Sequence, residues 1–220
     1  GITIKGKPLK DHLEAKDHQA ALDFLFELVS GKRITVSEIL IRQFHHLVVR
    51  ETESEHAGKY RTGAVMIAGA KHTPPDAVDV PPQMHALVGW IRSNQTKLHT
   101  VELAARTHHR IVHVHPFFDG NGRTARLVMN VLLMQAGYPM AIILKNDRKK
   151  YYHILEKADT EDYDALALFI AQAVERTLDL YLRTFKPAGI GKLLSLSDAS
   201  RGTPYSSKYL NLLARSGRIA

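Results

Sequence analysis

One stretch near the middle of the chain limits its possible folds more than any other. It reads His115-Pro116-Phe117-Phe118-Asp119-Gly120-Asn121-Gly122-Arg123-Thr124-Ala125-Arg126. Apolar, helix-compatible residues (Ile111, Val112, Val114) lead into it, and a second apolar segment from Leu127 to Ala136 leads out. That segment stops at Gly137, which suits the residue just past a helix C-cap. A polar turn is therefore clamped between two buried elements. Gly120 and Gly122 let the backbone turn tightly and approach a ligand with no Cβ in the way. The turn opens a helix, so unpaired N–H groups and the positive dipole end face the loop, and phosphate is their usual guest. Arg123 and Arg126, three residues apart, share a helix face and can fork onto further phosphate oxygens. Asp119 would repel a bare phosphate, and Mg²⁺, normally held by carboxylates together with phosphates, reconciles the two. His115 is the nearby group able to take a proton close to neutral pH. The pattern specifies an anion site with a base beside it.

This segment resembles the signature of the Fic (Fido) family, His-Pro-Phe-x-(Asp/Glu)-Gly-Asn-Gly-Arg, at all eight specified positions, and Arg126 matches the second arginine that often follows. A run of fixed positions this long is far more specific than a lone Gly-x-Gly. The resemblance extends over roughly residues 31–185. It takes in Ala57-Gly58-Lys59-Tyr60-Arg61 upstream, and Gln135-Ala136-Gly137-Tyr138-Pro139 and Tyr151-Tyr152 downstream. It implies an all-α, Fic-type helical bundle around a central motif-bearing helix, with a small β-hairpin flap. It also implies a protein adenylyltransferase that moves AMP from ATP to a Ser, Thr or Tyr hydroxyl of a target protein. In that reading His115 is the general base and Asp119 holds Mg²⁺. ATP lies against Gly120, Asn121, Gly122, Arg123 and Arg126, with Val65, Met66, Ile67 and Ala68 of the flap and Tyr151 and Tyr152 completing its site. The flap, residues 65–75, would dock the target by strand addition. Asp159 stands where relatives often carry Asn, which alters the expected adenine contact. Members of the family often restrain themselves with a helix bearing (Ser/Thr)-x-x-x-Glu-(Gly/Asn), whose glutamate blocks the second arginine. No such pattern occurs in residues 1–220. The expectation is that this helix lies ahead of Gly1, in a longer chain, or is supplied by another protein.

Two alternatives stay open at this point. One is another transfer on the same fold: phosphorylation, phosphocholine transfer or deAMPylation. The other is a DNA-binding regulatory module working through the C-terminal tail. The net charge of +8 allows an acidic partner such as DNA, or simply a solvated basic surface around a nucleotide pocket. A second copy of the chain is a further expected partner. The chain has no cysteine, which removes disulfides and thiolate metal sites and fits a reducing compartment. No apolar run reaches about 18 residues, so a cytoplasmic protein is expected.

Along the chain, residues 1–16 read as a polar arm or strand-like lead-in, and Asp17–Val29 as a helix with Ala21, Phe24, Leu25 and Leu28 on one stripe. Thr35-Val36-Ser37-Glu38 reads as a capping box, opening a helix with Ile39, Leu40, Phe44, Leu47 and Val48 inward. His45 and His46 on that helix read as surface or core-edge residues. Pro81-Pro82 opens another helix. Thr100 is the expected cap of the helix carrying His108, His109 and His113, which read as scaffold. Asn146-Asp147 is an expected cap pair. The longest packing stripe runs from Leu166 to Leu182. The Fic domain is expected over 1–186, with its lead-in at 1–30. Lys186-Pro187-Ala188-Gly189 breaks the pattern, and 187–220 form an appendage resembling a truncated helix-turn-helix unit.

Overall fold

The computed structural model describes residues 3–4, 6–31, 34–67, 71–184, 195–203 and 205–215. The chain divides into two compact units, Gly1–Asp179 and Leu180–Ala220. The first unit is built on helices α1 (Leu9–Ser30), α2 (Glu38–Val49), α3 (Val80–Asn94), α4 (Thr100–Val114), α5 (Asn121–Gln135), α6 (Arg148–Ala158) and most of α7 (Asp164–Thr184). A two-stranded antiparallel ribbon, β1 (Thr3–Ile4) with β2 (Lys7–Pro8), precedes them. The second unit contains α8 (Leu196–Arg201) and α9 (Ser207–Arg215). The expected break at 186–189 lies outside the described residues. Among the described residues no helix is long and apolar enough to cross a membrane.

The fold is the all-α arrangement expected, and α5 is its axis. Asn121, Thr124, Ala125 and every residue from Leu127 to Leu133 are buried, so this helix shows water almost none of its circumference. It packs against α4, α2 and α1. It ends as the sequence foretold, with Gly137 at a positive φ of 86°. The Gly137 and Tyr138 N–H groups close back onto the carbonyls of Met134 and Leu133, each at 3.0 Å, which is the Schellman pattern. The stripe on α7 is buried through Leu166, Phe169, Ile170, Ala173, Val174 and Thr177. Beyond it Leu178, Tyr181 and Leu182 are exposed.

Several local expectations change. The lead-in is shorter than expected, because α1 begins at Leu9, directly after the ribbon. Ser37 alone caps α2, its Oγ accepting from the Leu40 N–H at 3.2 Å. The inward face of α2 is then Leu40, Ile41, Phe44 and Val48, and Ile39 points to solvent. His99 rather than Thr100 caps α4, its Nδ1 accepting from the Val101 N–H at 3.3 Å. Asp147 makes no side-chain cap for α6 and instead pairs with Arg176 at 3.0 Å. The hairpin flap is not seen among the described residues. Residues 64–67 and 72–76 have no regular secondary structure, and the strands described are β1 and β2. Half-buried Val65 and Ile67 nonetheless alternate with exposed Ala64 and Met66, an in-out pattern of period two.

Candidate active site

The loop between α4 and α5 is fixed from beneath by buried groups, and its upper rim is left for a ligand. His115 closes α4 in the left-handed region, φ 49° and ψ 58°, with its N–H on the Ile111 carbonyl at 3.0 Å. Such a conformation is uncommon for a residue with a Cβ and persists only where surroundings enforce it. Its Nδ1 lies 3.3 Å from the Val112 carbonyl. A carbonyl only accepts, so Nδ1 carries the hydrogen and the lone pair is on Nε2. Burial lowers the His115 pKa, opposed by the bond to Val112, and the charge of Arg61 lowers it further. The ring is therefore a neutral base at pH 7.

Enforcement comes from Arg61, a residue to which the sequence reading gave no role. Its side chain is 2% exposed, and its guanidinium bonds run to backbone carbonyls. Nε donates to His115 at 2.8 Å, Nη1 to Gly63 at 3.0 Å and Nη2 to Pro75 at 2.6 Å. The Arg61 N–H adds a bond to Pro116 at 2.9 Å. One side chain thus ties the start of the loop to both ends of the 63–75 segment. The available signal was an arginine following Gly-Lys-Tyr, which is weak without coordinates.

Asn121 braces the loop interior. Its amide accepts from the Phe117 N–H at 2.9 Å and donates to the Phe117 carbonyl at 2.8 Å. Both ends of the amide expected on phosphate are therefore engaged by Phe117 and the side chain is buried, which leaves its backbone N–H to face a ligand. His45 braces the far side. Gly58 N–H donates to its Nδ1 at 2.9 Å, so Nε2 carries the hydrogen and donates to the Asp119 carbonyl at 3.1 Å. The ring stacks on Phe117 with centroids 3.7 Å apart. Gly120, at φ 75°, could not be replaced at either level. The conformation disfavours a Cβ, and that Cβ would lie 2.8 Å from Val49 Cγ1.

Above these braces the N–H groups of Asn121, Gly122 and Arg123 open α5 with no carbonyl behind them in the helix. Asp119 is half-exposed; its Oδ1 accepts from Gly120 N–H at 2.6 Å. Its Oδ2 faces two loosely held cations, Lys10 at 3.9 Å and Arg123 at 3.7 Å. That oxygen is a hard donor already drawing positive charge, and it fits Mg²⁺ shared with phosphate oxygens. Arg123 is partly committed, with Nη1 on the Val48 carbonyl at 2.9 Å. Among the described residues no carboxylate pairs with Arg126, which lines a cavity of about 230 Å³ with His18, Leu22 and Ile143. Tyr151 is buried, and its hydroxyl meets His108 Nε2 at 2.6 Å. Burial pushes its phenol up to about 12, against the charge of Arg126. Tyr152, by contrast, is exposed with Arg148 over its ring at 5.4 Å. Met66 is 94% exposed, Val65 and Ile67 are half-buried, and Ala68 lies outside the described residues.

The Fic/DOC family model matches residues 35–133. The chain is similar to the protein adenylyltransferase Fic of Drosophila willistoni, 40% identical over 183 residues, which are 82% of this chain and 36% of that protein. The chain spans about a third of the length of the curated relatives it matches. Among solved structures it resembles Fic-1 from C. elegans, with TM-score 0.76 and 30% identity over 86% of this chain and 56% of that one. It also resembles a Fic domain containing signaling protein from Bacteroides thetaiotaomicron, with TM-score 0.76 and 28% identity over 88% of this chain and 80% of that one.

Two predictions follow from the braces. Arg61→Lys keeps the charge but loses the fork, leaving part-buried carbonyls without donors; unfolding should become easier by about 2 kcal/mol, read by denaturant titration. An unchanged midpoint would contradict the bracing role. Burial also lowers the His108 pKa to about 3 and the His45 pKa to about 4. Below an ordinary imidazole value of about 6.5 the unfolded chain binds these protons and the folded chain does not. Stability should therefore fall as pH drops from about 6.5 toward 4, and less steeply in His108→Gln, as measured by denaturation across that range. The match to the Fic/DOC family model, which runs through the capped α4 and the braced loop into α5, identifies residues 35–133 of the chain as a Fic/DOC domain.

Proposed function

We propose that the chain transfers AMP from ATP to a hydroxyl of a target protein. The observation that carries this reading is the tautomer of His115. Its Nδ1 hydrogen is tied to the Val112 carbonyl, so a basic Nε2 stands at the start of a loop whose far end is a helix N-terminus. Such an end holds phosphate through backbone N–H groups. The similarity to protein adenylyltransferases over 82% of the chain supports the same reading.

The α- and β-phosphates would rest on the N–H groups of Asn121, Gly122 and Arg123. Arg126, which no carboxylate among the described residues pairs, would meet the outer phosphates, and Arg123 would keep its bond to Val48 while its second nitrogen turns toward the ligand. Asp119 Oδ2 would hold Mg²⁺, which neutralises phosphate charge when bound. Tyr152 would border the base, whereas Tyr151 would act from below by fixing Arg126. His115 Nε2 takes the proton of an incoming Ser, Thr or Tyr hydroxyl. The oxygen then bonds to the α-phosphorus as the bond to the β-phosphate oxygen breaks and pyrophosphate leaves. A positioned base contributes about 10²–10⁴-fold, and fixed positive groups contribute at least comparably in transfers of this type. The 65–75 segment would present the target hydroxyl, its alternation of Val65 and Ile67 with Met66 suiting an added strand.

His115→Ala should reduce AMP transfer by at least about 10²-fold while ATP still binds. The check is mass spectrometry of a lysate incubated with ATP and either protein, alongside calorimetry of ATP binding. Equal labelling by the two proteins would sink the assignment of the base.

A further inference from the structure

A second cluster of ligating groups lies behind the loop. His72, His113 and Asp159 bring three donor atoms within 4.8 Å of one another, from the segment before α3, the last turn of α4 and the end of α6. His72 Nε2 is 2.7 Å from the His113 carbonyl. Since that oxygen only accepts, Nε2 bears the hydrogen and Nδ1 carries the lone pair. A backbone carbonyl behind one ring nitrogen is the usual way a metal-binding imidazole is oriented. The His72 and His113 rings lie face to face, centroids 3.7 Å apart. His113 Nδ1 meets Asp159 Oδ1 at 3.1 Å, and His109 Nε2 supports that same oxygen at 2.9 Å. A ligating carboxylate held by an outer hydrogen bond is the second half of such a site. Behind it opens a cavity of about 340 Å³ lined by His109, His113, Asp159 and Tyr163, which gives an ion and a water a way in.

We propose that His72, His113 and Asp159 form a site for a transition-metal dication of the Zn²⁺ type, separate from the Mg²⁺ position at Asp119. Two imidazoles and a carboxylate suit zinc, whereas magnesium prefers oxygen ligands throughout. Bonds of about 2.0–2.1 Å in a tetrahedron need ligands about 3.4 Å apart. The donor atoms therefore close in by rotation of side chains, the ion replacing the hydrogen bond between His113 and Asp159 as the His113 hydrogen moves from Nδ1 to Nε2. Water from the cavity takes the fourth position. Occupation would fasten the stretch around His72 onto α4, two residues ahead of His115. Asp159 is also the residue that the family resemblance sets against adenine, so the titration is run without nucleotide and its outcome does not depend on AMP transfer.

The test uses the whole chain, stripped with chelator and kept in excess Mg²⁺. Zn²⁺ is titrated by calorimetry, and Co²⁺ by its visible absorption, which reports coordination geometry. The expected result is one tight equivalent that Mg²⁺ does not displace, with a four-coordinate Co²⁺ spectrum. His72→Gln and Asp159→Asn should each weaken it by at least 100-fold, and His109→Gln by about 10–100-fold. Asp119→Ala and the exposed-site control His153→Gln should leave it unchanged. Melting curves without metal confirm that each variant is folded, and His113→Gln substitutes for any that is not. A tight equivalent that survives both His72→Gln and Asp159→Asn, or Zn²⁺ uptake by the wild type no tighter than by His72→Gln, overturns the proposal.

Discussion

A guanidinium buried among backbone carbonyls is the constraint on which the rest of the site depends. Arg61 is sealed from water and donates to His115, Gly63 and Pro75, so its charge is compensated by oriented dipoles. Burying a cation is costly unless its hydrogen bonds are complete, and here the planar fork completes three in one geometry. The carbonyl of His115 cannot rotate without leaving one of them open. That restraint accounts for a left-handed histidine at the end of α4, a conformation a Cβ-bearing residue does not choose alone.

From there the loop separates supporting groups from working groups by burial. Beneath it, the Asn121 amide is engaged at both ends by Phe117, the His45 ring is bonded through both nitrogens to Gly58 and Asp119, and that ring stacks on Phe117. Above it remain groups with capacity to spare: the first N–H groups of α5, Oδ2 of Asp119, Nε2 of His115 and the guanidinium of Arg126. Preorganised donors of this kind cost no rearrangement when negative charge arrives. Deep burial also keeps His45 and His108 neutral, so the braces hold their hydrogen-bond roles near neutral pH.

Much of this was legible in the sequence because it is local. Gly120 and Gly137 each mark a turn, at positive φ, although Gly122, read as part of the same turn, lies in the first turn of α5; the run after Arg126 is largely apolar, which foretells a central helix. Pro81-Pro82 marked the start of α3 for the same reason. What was not legible is long-range partnership. Asn121 reads as a ligand until Phe117 is seen to occupy both ends of its amide. Tyr151 and Tyr152 look equivalent in sequence, yet a step of one residue on α6 sends the first into the core against His108 and the second to solvent. His45 and Arg61 act across intervals of 74 and 54 residues, to Asp119 and His115, and no pattern of spacing reports such pairs. His99 and Asp147 show the same limit at shorter range, since which side chain caps a helix depends on rotamers that competing partners decide.

The central claim is that nucleotide phosphates settle on the α5 N-terminus with the innermost phosphorus open to attack. The most direct measurement incubates the chain and a protein target with ATP labelled at the α-phosphate in one tube and at the γ-phosphate in another. Label is expected to enter the protein from the α-position only, with pyrophosphate released in equal amount. Label arriving from the γ-position, or from neither while target and Mg²⁺ are present, would contradict it.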